Sequence, residues 1–166
     1  MNDRDATYVE FVAARQDRLR RIAYAVCGDA NRAEDVLQEA LVKLYLAWPR
    51  VRKEGREEAY ARRIIVRADL DDRRRPWRRR RVLVADGDLA AMPARPGLAT
   101  EDRSALFDAL QELPPMQRRT VVLRHWLGLS IEETAAELGI STGTVKSHSS
   151  RAVASLRGLL AEQPVD

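Results

Sequence analysis

A single cysteine, Cys27, occurs among the 166 residues, which excludes an internal disulfide and any metal site built from several thiolates. Cys27 reads most simply as a small buried residue. The two histidines, His125 and His148, have no companions at zinc-ligand spacing, so neither a metal nor a cofactor is expected. No signal-peptide pattern and no apolar run of membrane-spanning length is present, which points to a cytoplasmic protein without membrane insertion. Strand-like alternation is also missing, and the expected fold class is all-α.

The net charge of +4 is too small to identify a partner, but its placement is informative. Arg73, Arg74 and Arg75 are followed by Pro76, Trp77 and four more arginines. Guanidinium groups at that density repel one another unless a polyanion neutralises them. Trp77 in their midst can stack on an unpaired base, or it can anchor the loop to a core. Just before this run, Tyr60, Ile64, Ile65, Ala68 and Leu70 give a partial apolar helical face, with Arg62, Arg63 and Arg67 outside it.

The most specific stretch is Ser130 to Leu160, SIEETAAELGISTGTVKSHSSRAVASLRGLL. Ser130 and Glu133 form the Ser-x-x-Glu box in which each side chain satisfies the other's free backbone N–H, so a helix is expected from there to Leu138. Gly139 supplies a left-handed turn residue and Ile140 plugs the corner. Ser141 then caps a second helix whose first turn carries no carboxylate, leaving its positive end free for phosphate. Val145, Ser149, Ala152, Leu156 and Leu159 or Leu160 give an inward face. Thr142, Lys146, Ser147, Ser150 and Arg151 fall elsewhere, as short, polar or cationic groups suited to base and phosphate contact. An ordinary helical hairpin with a solvated basic face is the plainer reading; the small alanines, glycine turn and donor-rich second helix favour DNA.

Elsewhere the chain reads as helices. Tyr8, Phe11, Val12, Leu19, Ile22, Ala23 and Val26 recur near a 3.6 period until Gly28 and Asp29. A second helix has Ala33, Val36, Leu37, Ala40, Leu41, Leu44 and Leu46 or Ala47 inward, with a charged connection after Pro49. On its other face Asp35, Gln38 and Glu39, with Glu34 beside them, form an acidic patch in a basic protein. A solvated surface accounts for it, as does a dock for a basic protein. From Val82 to Thr100 the pattern dissolves into an extended linker. Beyond it, ALFDALQEL is a short helix stopped by Pro114 and Pro115. Val121, Val122, Leu123, Trp126 and Leu127 follow as core under the helix-turn-helix. The expected organisation is two small helical domains, 8–81 and 101–160, joined by a flexible linker, 82–100.

Three segments together, AEDVLQEALVKLYLAW, AYARRIIVRADLDDRRR and ALQELPPMQRRTVVLRHWLGLSIEETAAELGISTGTVKSHSSRA, with the final ASLR, resemble the group IV, or extracytoplasmic-function, sigma factors of bacterial RNA polymerase. Within them the chain is most similar to the actinobacterial SigE-like type. The resemblance implies region 2 and region 4 domains. It implies as partners core RNA polymerase (the β′ clamp helices and the β subunit), promoter DNA and an anti-sigma factor. By position, Asp35, Gln38 and Glu39 fall on the family's contact with the β′ clamp helices. Arg62, Arg63, Arg67, Arg73, Arg74, Arg75 and Trp77 fall on the helix and loop that melt the minus-ten element and hold an unpaired base. Lys146, Ser147, His148, Ser150 and Arg151 fall on the helix that reads the minus-thirty-five element, with Arg124, Ser141 and Thr144 near its phosphates. The linker corresponds to the segment that passes toward the polymerase active-site cleft. Arg67 stands where the family commonly has asparagine, and Asp72 near a usual aromatic or apolar position; Asp69, Asp71 and Asp72, which would repel phosphate, are expected to pair with the arginines around them or with basic residues of a regulator.

Two other readings compete. TVKSH also occurs in LuxR-type regulators, but these carry an upstream sensing or receiver domain with alternating strands and helices, where this chain offers only helices. A nuclease holding magnesium through Asp69, Asp71 and Asp72 is the second; no general base, lysine or histidine stands near them in a nuclease arrangement, so the chain is expected not to be an enzyme.

Overall fold

In the computed structural model the described residues are 1–74 and 101–162, the side chains of 72–74 and 101–104 excepted, and every regular element among them is helical. Two compact units emerge. The first contains α1 (Asp3–Cys27), α2 (Ala30–Glu54) and α3 (Glu57–Arg74). The second contains α4 (Glu101–Glu112), α5 (Pro115–Val121) with a π-helical turn over Val122–Trp126, α6 (Ile131–Leu138) and α7 (Thr142–Ala161).

Apolar periodicity starts at Tyr8, yet α1 begins at Asp3. Asn2 caps it by accepting from the Asp5 amide at 2.8 Å, and Asp3 and Asp5 suit the positive end of the helix. This polar first turn is tied to α2: the Tyr45 hydroxyl donates to Asp5 at 2.7 Å, and the Arg4 guanidinium lies 4.4 Å from the Tyr45 ring centre. The hydrogen bond to Asp5, then burial, holds the Tyr45 phenol above its ordinary range, and burial beside Tyr45 does the same for Tyr8. Both therefore stay protonated donors at neutral pH, and their contribution to stability fades only as pH climbs past the ordinary tyrosine range. At the other end Gly28 adopts φ 76°, which closes α1 and lets Asp29 cap α2 by accepting from the Arg32 amide.

Pro49 does not end the second helix, as its position in the sequence suggests it should. A mid-helix proline removes one donor and strands the carbonyl four residues earlier, that of Tyr45. Arg4 of α1 supplies the missing donor, its Nη2 meeting the Tyr45 carbonyl at 2.5 Å. The helix therefore continues to Glu54, where Gly55 caps it at φ 66°. The continuation past Pro49 brings Val51 into the core beside Trp48, with Leu19, Ile22 and Val26 of α1, Val36, Leu37 and Leu44 of α2, and Ile65 and Val66 of α3. Trp48 packs against Tyr8 and Phe11, and its ring N–H donates to the Thr7 hydroxyl at 3.0 Å. Leu46, by contrast, points outward.

Asp69 is the least expected core residue. It is 0% exposed, and Arg32 of α2 donates through Nη2 to both its carboxylate, at 2.5 Å, and its backbone carbonyl, at 2.9 Å. A carboxylate buried this way is committed to a guanidinium and is not offered to a metal, which removes Asp69 from any magnesium-holding triad with Asp71 and Asp72. Arg32→Ala removes the guanidinium that this buried carboxylate meets, and the expected cost is about 3–5 kcal/mol. A thermal or urea melt of the variant against the parent chain measures it, and a change below about 1 kcal/mol would contradict the burial described.

In the second unit Pro114 and Pro115 stop α4 and start α5, because proline suits the first helical turn, where no donor is needed. Leu110, Leu113, Val121, Val122, Leu123, Leu129, Leu138, Val145 and Ala152 are buried together with Arg118 and Arg119. Arg119 reaches the sulfur of Met116 at 3.2 Å. Trp126 is 39% exposed rather than core. The π turn is the reason: the Leu127 amide donates five residues back to Val122, at 3.0 Å, and the extra residue rotates everything after it away from a 3.6 projection.

Candidate functional site

The α6–turn–α7 segment is built as its sequence requires. Ser130 accepts from the Glu133 amide at 3.0 Å while the Glu133 carboxylate accepts from the Ser130 amide at 2.8 Å, completing the reciprocal cap. Gly139 takes φ 67°, and the Ile140 amide donates back to the Ala135 carbonyl at 3.1 Å, which turns the chain within two residues. Ser141 then caps α7 by accepting from the Thr144 amide at 3.1 Å and also meets the Thr144 hydroxyl at 2.8 Å. Ser141→Ala is expected to cost about 1 kcal/mol of stability by loosening the first turn of α7, seen as a lowered thermal midpoint. An unchanged midpoint would contradict that role.

Val145 and Ala152 are fully buried and fix the inward edge of α7. Thr142, Lys146, Ser147, Ser150 and Arg151 are all exposed, and no acidic residue occupies the first turn. The outward surface therefore combines a positive helix end, two cations and small hydroxyls, a combination suited to a duplex groove. His148 is half-buried, with Nδ1 shielded from solvent. It is accordingly less available than its neighbours. Arg124 donates from Nη1 to the Leu129 carbonyl at 2.5 Å, and His125 lies 3.0 Å from the Ser149 hydroxyl through Nε2. Arg124 thus props the turn before α6, while His125 links the π turn to α7.

On α2, Asp35 and Gln38 are exposed and Glu39 is half-buried, held by Lys43 one turn on at 2.7 Å. Glu34, beside them, is engaged by Arg20 of α1 at 2.5 Å. The acidic patch continues along the same helix face into Val42, 59% exposed, and Leu46, 70% exposed. Positions 35, 38, 39, 42 and 46 follow helical spacing, so charge and apolar surface form one stripe. The sequence missed the apolar half because the wide inward stripe admitted Leu46; its signal was the alternation of Leu44 and Leu46 about a helix that has only one core face.

On α3, Arg63 and Arg67 are exposed with Asp71 along the same outward row, whereas Arg62 is half-buried. Arg73 and Arg74 close the helix. Arg75 and Trp77 lie outside the described residues, as does the linker. A further exposed apolar group sits in the second unit, where Trp126 meets Phe107 edge-on at 6.2 Å and Leu106 is also exposed. Among the described residues no cluster of three metal-ligating side chains occurs, and no helix is long and apolar enough to cross a membrane.

Residues 11–79 match the family described as sigma-70 region 2, and residues 103–156 the one described as sigma-70, region 4. The chain is 40% identical over 163 residues to the RNA polymerase sigma-E factor of Streptomyces coelicolor, covering 96% of this chain and 89% of that protein. It is 35% identical to the ECF RNA polymerase sigma factor SigE of Mycolicibacterium smegmatis over 92% of this chain and 61% of that protein. Among solved structures, the sigma factor RpoE in complex with the anti-sigma factor NepR from Bartonella quintana superposes with a TM-score of 0.68 at 26% identity, covering 95% of this chain and 99% of that one. CnrH in complex with the cytosolic domain of CnrY superposes with a TM-score of 0.56 at 25% identity, covering 96% and 91%.

Proposed function

Because the chain belongs to the sigma-70 family, among its extracytoplasmic-function members, we propose a specific division of labour among its exposed surfaces. A sigma factor binds core RNA polymerase and directs it to promoters, where transcription starts. Here the α2 stripe of Asp35, Gln38 and Glu39, extended by Val42 and Leu46, docks on the β′ clamp helices. Apolar groups supply buried area at such a contact, and the carboxylates set its register against cations. Trp126 and Leu106 give the second unit an apolar contact of its own, for the β subunit.

The outward face of α7 takes the minus-thirty-five element. Lys146 and Arg151 reach phosphate or base edges, Ser147 and Ser150 contribute short hydrogen bonds, and the Thr142 end of the helix accepts a phosphate. Ser141 and Arg124 act there by holding the helix and the turn in place, through the contacts described above. On the other unit, Arg63 and Arg67 grip downstream phosphates, with Arg62 inside them and Arg73, Arg74, Arg75 and Trp77 beyond. Extruding a base costs a few kcal/mol of stacking, which contacts of this kind offset. The protein makes and breaks no bonds itself; residues 8–81 and 101–160 are its working domains, 82–100 the connection.

The solved relatives RpoE and CnrH are each bound to a second protein, NepR and CnrY. An anti-sigma partner that covers the same exposed surfaces is proposed for this chain as well. A LuxR-type regulator would leave α1–α3 without a task. The exposed acidic–apolar stripe on α2 is the observation that carries the reading, since a freestanding DNA-binding protein has no use for it. Core polymerase reconstituted with and without the chain on host promoter fragments tests the whole: new, discrete start sites are expected only with the chain, and identical transcripts in both reactions would overturn it.

A further inference from the structure

The packed residues of α3 are mostly apolar. Ile65, Val66 and Ala68 are buried and Leu70 is half-buried, whereas Asp71 is exposed. Asp69 is the exception, and Arg32 grips it at both the side chain and the backbone carbonyl. Arg32 is itself fixed: its amide donates to the capping carboxylate of Asp29, which follows the left-handed Gly28. Three residues further along α2 stands Asp35; two residues before Asp69 stands Arg67.

A buried ion pair adds little stability over apolar groups of the same size, but its directionality fixes an orientation that apolar contacts do not. We propose that Arg32 and Asp69 form a positioning joint, holding the arginine-bearing end of α3 at a set angle to the polymerase-docked α2, so that promoter opening depends on the pair while docking does not. The inference rests on the docking and melting assignments above. Neither residue touches DNA: Asp69 has no solvent exposure, and the Arg32 guanidinium is occupied. Both act through the helix they orient.

Two variants separate positioning from mere stability. Arg32→Lys keeps the charge and loses the forked reach. The double variant Arg32→Met with Asp69→Leu removes the pair while filling its space with apolar atoms, which preserves or raises stability. Full-length protein is assembled with core polymerase and followed by a binding titration, by permanganate reactivity on a duplex promoter, and by transcription from the same promoter carrying a pre-opened bubble. Core binding is expected within about threefold of the parent for both variants. Duplex opening is expected to slow by about tenfold or more, and transcription from the bubble to stay near the parent level, because positioning is needed to open DNA but not to use DNA already open. A folded double variant that opens duplex at the parent rate would overturn the joint and leave Arg32 and Asp69 purely structural. Failure of the parent chain itself to bind core or open DNA would instead strike the underlying functional reading.

Discussion

Charge reversal of the α2 patch, as Asp35→Arg with Glu39→Arg, is expected to abolish promoter-dependent transcription by preventing association with core polymerase. Both residues stand on the outer side of a helix whose opposite side is fully packed, so fold and helicity are retained. On the proposed dock the substitution would turn two favourable contacts with cations into like-charge contacts, each expected to cost several kcal/mol. It also releases Lys43 from its bridge to Glu39, leaving that charge uncompensated beside the two new arginines. Taking about 2 kcal/mol for each site as a floor, the affinity falls roughly thirtyfold per residue and about a thousandfold together. Pull-down with core enzyme, checked by circular dichroism on the free variant, measures this. Association within about threefold of the parent would remove α2 as the dock.

The second large effect is expected on α7. Lys146→Ala with Arg151→Ala should leave core binding intact and erase the upstream footprint of the assembled polymerase. Alanine is the best helix former, and both side chains are exposed, so the helix persists. What goes is charge: the slope of log affinity against log salt should shrink by about one unit for each cation lost from phosphate. If one of the two reads a base edge, a further loss of about 1–3 kcal/mol falls on that base pair alone and appears as relaxed preference there. An undiminished footprint would place the groove-reading surface elsewhere.

How far the sequence revealed these surfaces depended on whether the controlling interaction was local. The cap of α6, the Gly139 turn and the Ser141 cap are set by residues within four positions of one another, and all were legible. The exposed row on α7 followed from the same periodicity. Interactions across 37 and 41 residues were not legible. Nothing near Asp69 announces Arg32 as its counter-ion, so its cation was sought among the arginines beside it in the sequence, with a metal triad as a competing reading. Nothing near Pro49 announces Arg4, so a proline suggested an end. Trp126 was misplaced for a local reason, because a π turn shifts the phase of a helix without a sequence mark that periodicity detects. Leu46 was read inward because an exposed apolar residue and a core one look alike in a periodic pattern, and Val42 drew no reading at all.

The bond from Arg4 to the backbone beside Pro49 bears on how the protein is handled. A shortened version begun at Tyr8, where the greasy pattern starts, discards Asn2, Arg4 and Asp5 together. The stranded oxygen in the middle of α2 then has only water to turn to, and the helix is free to bend at its proline, just past Leu46. Such a trimmed polypeptide would still look folded by spectroscopy, yet would offer core enzyme a softened handle, and its weak activity would be blamed on the wrong residues.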